Sequence, residues 1–164
     1  MILQDQSKLL SYLGLFPFVL MTAMLWINPT WAETIFEIFI IYSTLIFVFL
    51  TGTWWGFAQE NNKTLLPSIF FFFLPFLIIL IIMLFSNQFR EIFSVPYEMA
   101  AILLGLLISY ESGHIYEKNF LNLDKEYLEM RFYLTFGVRI CHLLMIAFIS
   151  VSYTHLTLPT ICSV

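Results

Sequence analysis

Charged side chains are missing from long stretches of this chain. Seven basic and eleven acidic residues among 164 make up 11 % of the sequence, under half the roughly 25 % of a soluble domain. A net charge of −4 with no basic patch excludes nucleic acid as an expected partner. Cysteine is nearly absent: Cys141 and Cys162 supply neither a disulfide framework nor metal-ligand spacing. There is also no HExxH pair, no P-loop, no paired haem-ligand pattern and no nucleophile beside a base. The residues therefore nominate no catalytic group, no metal ligand and no cofactor.

What fills the chain is apolar sequence, 60 % of all residues. Five runs, near 9–27, 35–57, 65–86, 94–112 and 132–152, each approach the roughly 20 helical residues that cross about 30 Å of hydrocarbon. The runs do not alternate as barrel strands do, and open sheets cannot satisfy their backbone in lipid, so the spans must be helices. The fold expected is an all-α membrane protein, a bundle of five transmembrane helices forming one domain over residues 1–152. With short loops, 164 residues leave no room for a soluble domain beside it.

The first span imitates a signal peptide, with Lys8 before an apolar core and Thr30-Trp31-Ala32 after it. Trp26, Pro29 and Trp31 crowd that site and the run exceeds an ordinary signal core, so the span is read as uncleaved. Orientation follows from basic residues in short connections. Lys8, Lys63, Lys118, Lys125 and Arg131 fall on one side and only Arg90 on the other. That places the N-terminus inside and, after five crossings, the C-terminus outside. A bacterial inner membrane is the expected location, with the mitochondrial inner membrane as the alternative.

Prolines punctuate the spans. Pro67 and Pro96 fit first helical turns, where the missing N–H costs nothing, while Pro17 and Pro75 lie inside spans one and three and predict kinks. Span three has no polar stripe and should face lipid along much of its surface. Before the last span, LNLDKEYLEMRF puts Leu121, Leu128 and Phe132 near one face, which reads as a short interfacial helix or, alternatively, as a solvated loop. From about residue 153 to 164 the style changes to an uncharged, threonine-containing tail. It reads as an extension foreign to the gene, and His155, Pro159 and Cys162 are given no functional weight.

Four motifs occur in order: YLGLFPF at 12–18, FLTGTWWG at 49–56, LLPS at 65–68 and EYLEMRFYLT at 126–135. Together they resemble the DUF-3429 family of small polytopic membrane proteins, which includes bacterial members and the mitochondrial transmembrane protein 69. The resemblance covers roughly residues 9–150 and implies a fold and a location but no chemistry. In that family the second motif usually looks like FLGGxHWG. Here Gly52, Trp55 and Gly56 match, Thr51 replaces a glycine, and Trp54 stands where a histidine is common. A metal or proton role of that histidine could not operate here in the same way. The motif is therefore read as structural: Gly52 and Gly56, four apart, should let another helix approach closely. Trp54 and Trp55 should sit near the inner interface.

Ionisable residues inside spans cost roughly 2.5–3.5 kcal/mol each if unpaired, so each needs a reason. Span five carries Arg131, Arg139 and His142, which with Thr135 share an arc of about 80° that should face the bundle. Span four offers Glu98 in its outer half and Glu111 and His114 at its inner end. Run antiparallel, Glu111 comes within reach of Arg139. Two readings follow: a buried pair that fixes the register of spans four and five, or a polar path through Glu98, Glu111, Arg139 and His142 for protons or a small anion. A lone His142 reads as a packing residue and His114 as interfacial. Three functions fit: a non-catalytic accessory or assembly component acting through helix contacts with another membrane protein, a small homo-oligomeric transporter or channel, and, least supported, a membrane enzyme acting on lipid or quinone.

Overall fold

A computed structural model describes the backbone of residues 2–85, 96–121 and 123–156, and the side chains of 8–85, 98–121 and 123–152. Arg90, His155, Pro159 and Cys162 lie outside the residues whose side chains are described. Among the described residues there are five long helices and no strand: α1 (Ile2–Ile27), α2 (Ala32–Glu60), α3 (Leu66–Leu84), α4 (Pro96–Phe120) and α5 (Lys125–Leu156). Each is long and apolar enough to cross a membrane.

Local chemistry sets the boundaries. Asn28 stops α1: its side-chain oxygen accepts from Thr30 N at 3.3 Å and Thr30 Oγ1 at 2.6 Å. This shapes a single 3-10 turn at Pro29–Trp31 before α2 begins. At the other end of α2, Asn62 adopts φ 51°, a left-handed value that asparagine tolerates. Asn62 N then donates to Gln59 O and Lys63 N to Ala58 O, the pair of bonds that closes a Schellman cap. Pro67 lies in the first turn of α3 and Pro96 opens α4, as expected. Both α1 and α3 continue through Pro17 and Pro75 without losing helical assignment.

Neighbours follow a closed ring, α1–α2–α3–α4–α5 and back to α1, with α2 also touching α4 across it. The buried face of α2 explains why: Phe36, Phe39, Ser43, Phe47, Thr51, Trp54 and Ala58 are enclosed, at steps of three and four residues that keep them on one stripe. α5 answers with Leu134, Val138, Cys141, Met145 and Ile149. α3 buries only Ser68 and Pro75, in line with its lack of a polar stripe.

The helix expected before the last span forms and runs into it as the opening turns of α5, which is unbroken from Lys125. Leu121 is buried in the short connection while Phe132 is half exposed, so the apolar face anticipated there is divided between inside and outside. α4 likewise extends eight residues beyond the expected 112, to Phe120. The lengthening matters because it carries Glu117 into the bundle.

Candidate functional site

The polar side chains gather along the seam where α4 and α5 run antiparallel. At the end nearest the α4–α5 connection Glu117 is fully enclosed. Its Oε1 accepts from Trp54 Nε1 at 3.0 Å, from Tyr127 OH at 3.0 Å and from Arg131 Nε at 3.0 Å, and its Oε2 lies 3.1 Å from the same Nε. One carboxylate thus ties α2, α4 and α5 together. A buried carboxylate needs such donors, since leaving it unpaired costs several kcal/mol.

Trp54 is aimed at this carboxylate by aromatic packing. Its ring centroid lies 5.5 Å from that of Phe71, 5.6 Å from Tyr116 and 6.0 Å from Phe47. Gly113 makes the space: a Cβ there would meet Trp54 Cη2 at 2.5 Å. Trp54 is therefore a core residue, 1 % exposed, six residues from the end of α2.

No helix of this chain makes the close approach expected at Gly52 and Gly56. A Cβ built on either meets nothing within 4 Å, because these glycines and Trp55 occupy the outward face of α2. Within the chain, tight approaches occur at Gly105, against Ile78, at Gly113, against Trp54, and at Gly137, against Leu15. A small-xxx-small spacing marks one helix face, and the sequence alone did not say that this face points away from the bundle.

Farther along the seam Arg139 grips Glu111 with two bonds, Nε to Oε1 at 2.5 Å and Nη2 to Oε2 at 2.7 Å. The partners are those expected, but the pair is not buried. Its side chains keep 32 % and 35 % of their exposure, at the rim of the seam, with the Phe136 ring 5.9 Å from the Arg139 guanidinium carbon. His114 sits between the two ion pairs on α4. Its ring lies 6.2 Å from that of Phe132, and its enclosed Nδ1 has no hydrogen-bond partner among the described residues.

His142 belongs to a separate group deeper in the bundle. Its Nδ1 lies 2.9 Å from Val138 O and its Nε2 3.0 Å from Ser43 Oγ. A carbonyl can only accept, so Nδ1 carries the proton and, in the neutral ring, Nε2 accepts from Ser43. Tyr110 closes the arrangement by donating to Ser43 O at 2.9 Å, and Phe39 meets the imidazole edge to face at 4.9 Å. Glu98, in the first turn of α4, lies thirteen residues or roughly 20 Å of helix from Glu111. The five anticipated residues thus occupy four places: Glu98 in the first turn of α4, Arg131 with Glu117, Arg139 with Glu111, and His142 with Ser43.

Glu117 was not singled out beforehand, yet a signal for it existed. Pairing Arg139 with Glu111 in an antiparallel hairpin fixes the register. Arg131, eight residues earlier on α5, must then meet α4 about eight residues later, in the turn that contains Glu117. Beside this seam, α1, α2 and α5 enclose a cavity of about 590 Å³, lined by apolar side chains together with Ser11, Tyr110, Arg131 and Thr135.

Among the described residues no cluster of three or more histidine, cysteine or carboxylate side chains could hold a metal ion. No curated protein and no solved structure matches the chain. The family model that does match is DUF3429, described as a protein of unknown function. It covers residues 3–147, nearly the whole chain, and the protein belongs to that family.

Proposed function

We propose that this protein is a non-catalytic integral membrane component, an accessory or assembly factor that acts by contact between its helices and those of another membrane protein. In this reading it resides in the bacterial inner membrane, or alternatively the mitochondrial one, with the N-terminus inside. The observation that carries the reading is the partly exposed Glu111–Arg139 pair. Glu111 stands nine residues, about 14 Å, from the end of α4, within the length of helix that crosses hydrocarbon about 30 Å thick. Pairing offsets much of the cost of two charges at that depth, but a rim left against acyl chains keeps a penalty. A neighbouring transmembrane helix presenting serine, threonine, asparagine or glutamine side chains would supply the missing hydrogen bonds.

The test is a photo-crosslinking residue at Phe136, beside Arg139, compared with one at Phe73 on the outward face of α3, in native membranes. Capture of one stoichiometric foreign membrane protein at 136 and not at 73, lost in the Glu111→Leu/Arg139→Leu double variant, is the expected result. Crosslinks only between copies of this chain would replace the reading with a homo-oligomeric transporter or channel. Equal capture at both positions, or none, would remove the contact surface.

A further inference from the structure

We propose that the cavity between α1, α2 and α5 is a binding site for a neutral, carbonyl-headed amphiphile of the quinone type. The site is independent of the Glu111–Arg139 rim. Its volume, about 590 Å³, falls within the roughly 300–1,000 Å³ usual for small-molecule sites, which pair apolar walls with a few placed polar groups. Leu10, Leu13 and Phe49 line it and are also exposed on the outer surface, so a tail can enter sideways from lipid. Phe18, Leu134 and Val138 form the inner wall.

The polar groups define the head. Glu117 engages Arg131 through Nε, which leaves the terminal N–H groups of the guanidinium for the cavity that Arg131 lines. Thr135 lines it too. Thr22, Thr44, Thr51 and Thr53 each turn their hydroxyl back onto a carbonyl of their own helix, whereas Thr135 makes no such bond among the described residues. Its hydroxyl and the guanidinium are donors facing one space. Among the described lining residues Arg131 is the single charged one, and Glu117 already neutralises it, so an anionic head would bring an uncompensated charge. A carbonyl oxygen accepts from these donors without adding charge, and an aromatic-sized ring suits the wall formed by Tyr110 and Phe18.

Gly14 supplies a selective block. It lines the cavity, and a Cβ there meets nothing within 4 Å, so Gly14→Leu fills the space without a clash at its root. The full chain in mild detergent is titrated with decylbenzoquinone, and native mass spectrometry follows the one-ligand adduct. Wild type should saturate at one ligand and Gly14→Leu should lose the adduct. Thr135→Val should bind about threefold to tenfold more weakly, the loss of one hydrogen bond, and decylbenzene, which lacks carbonyls, should bind at least about tenfold more weakly. Should Gly14→Leu fail to fold, Thr135→Val and decylbenzene decide. Equal binding of decylbenzene, an unaffected Thr135→Val, or retention of phosphatidylglycerol that decylbenzoquinone cannot displace would each overturn the proposal, the last by making the occupant a phospholipid.

Discussion

Arg131→Met and Glu117→Gln, alone and together, test whether the buried Glu117 carboxylate holds three helices in place. The side chains of the pair are 8 % and 0 % exposed, so neither charge can turn to solvent when its partner is lost. Breaking such a pair typically costs about 3–5 kcal/mol. Arg131→Met belongs at the lower end, because Trp54 and Tyr127 still donate to Glu117. In the double variant the carboxamide oxygen that replaces Glu117 Oε1 can keep both of those donors, and methionine fills the volume of the arginine stem. The double loss should therefore fall short of the sum of the singles by about 2–3 kcal/mol, the upper range of couplings for contacting residues. Reversible unfolding in mixed micelles, read by the fluorescence of the buried Trp54 in a background with Trp26, Trp31 and Trp55 replaced by phenylalanine, measures all four corners. Glu111→Gln and Arg139→Met provide the comparison. That pair is about a third exposed, so a charge that loses its partner can turn outward toward detergent headgroups and water, and its coupling should be smaller than that of the enclosed pair. Additive losses at Arg131 and Glu117, within about 0.5 kcal/mol, would refute the claim that the carboxylate is a shared anchor.

Packing and orientation can be tested in the same way. Gly113→Ala should destabilise by about 1–3 kcal/mol, the usual cost of overpacking, since its Cβ would fall 2.5 Å from a rigid indole. Gly52→Ala, with open space around its Cβ, should instead be neutral or stabilising by up to about 1 kcal/mol through helix propensity, and detergent melting that ranked the two in reverse order would contradict the packing described here. A topology reporter fused after Lys63 or Lys125 should report the inner side and one after Arg90 the outer side; an inner signal at Arg90 would overturn the orientation.

The five helices were legible because apolar length is a strong one-dimensional signal, and the Glu111–Arg139 pair because both charges stand in apolar runs that must be antiparallel. What was not legible depended on rotation about helix axes. Gly52 and Gly56 share a face, but only the partners of α2 decide that Phe39, Ser43, Phe47 and Trp54 turn inward and that the glycines turn out. Glu117 was hidden by its neighbourhood: next to Lys118 and a polar connection it reads as a solvated helix end. The structure instead lengthens α4 and wraps that end with Trp54, Tyr127 and Arg131. The exposure of Arg139 was missed for a related reason. An arc of about 80° is wide enough to hold both a buried Arg131 and an arginine at the rim.

The tryptophan in FLTGTWWG acquires a definite meaning from these contacts. In the family that the motif resembles, this position is commonly histidine, which can hold a metal, carry a proton or donate a hydrogen bond. An indole can do only the last, and Trp54 does it, toward Glu117. The larger ring also needs volume that an imidazole does not, and Gly113 is where that volume is found. Trp54, Gly113 and Glu117 therefore form one interdependent set: the glycine admits the ring, the ring positions its N–H, and the N–H donates to the buried carboxylate beside Arg131. At this position the indole can neither carry a proton nor ligate a metal. What the protein does for its membrane must then be sought at the two surfaces the anchor leaves open, the Glu111–Arg139 rim and the cavity beside Arg131.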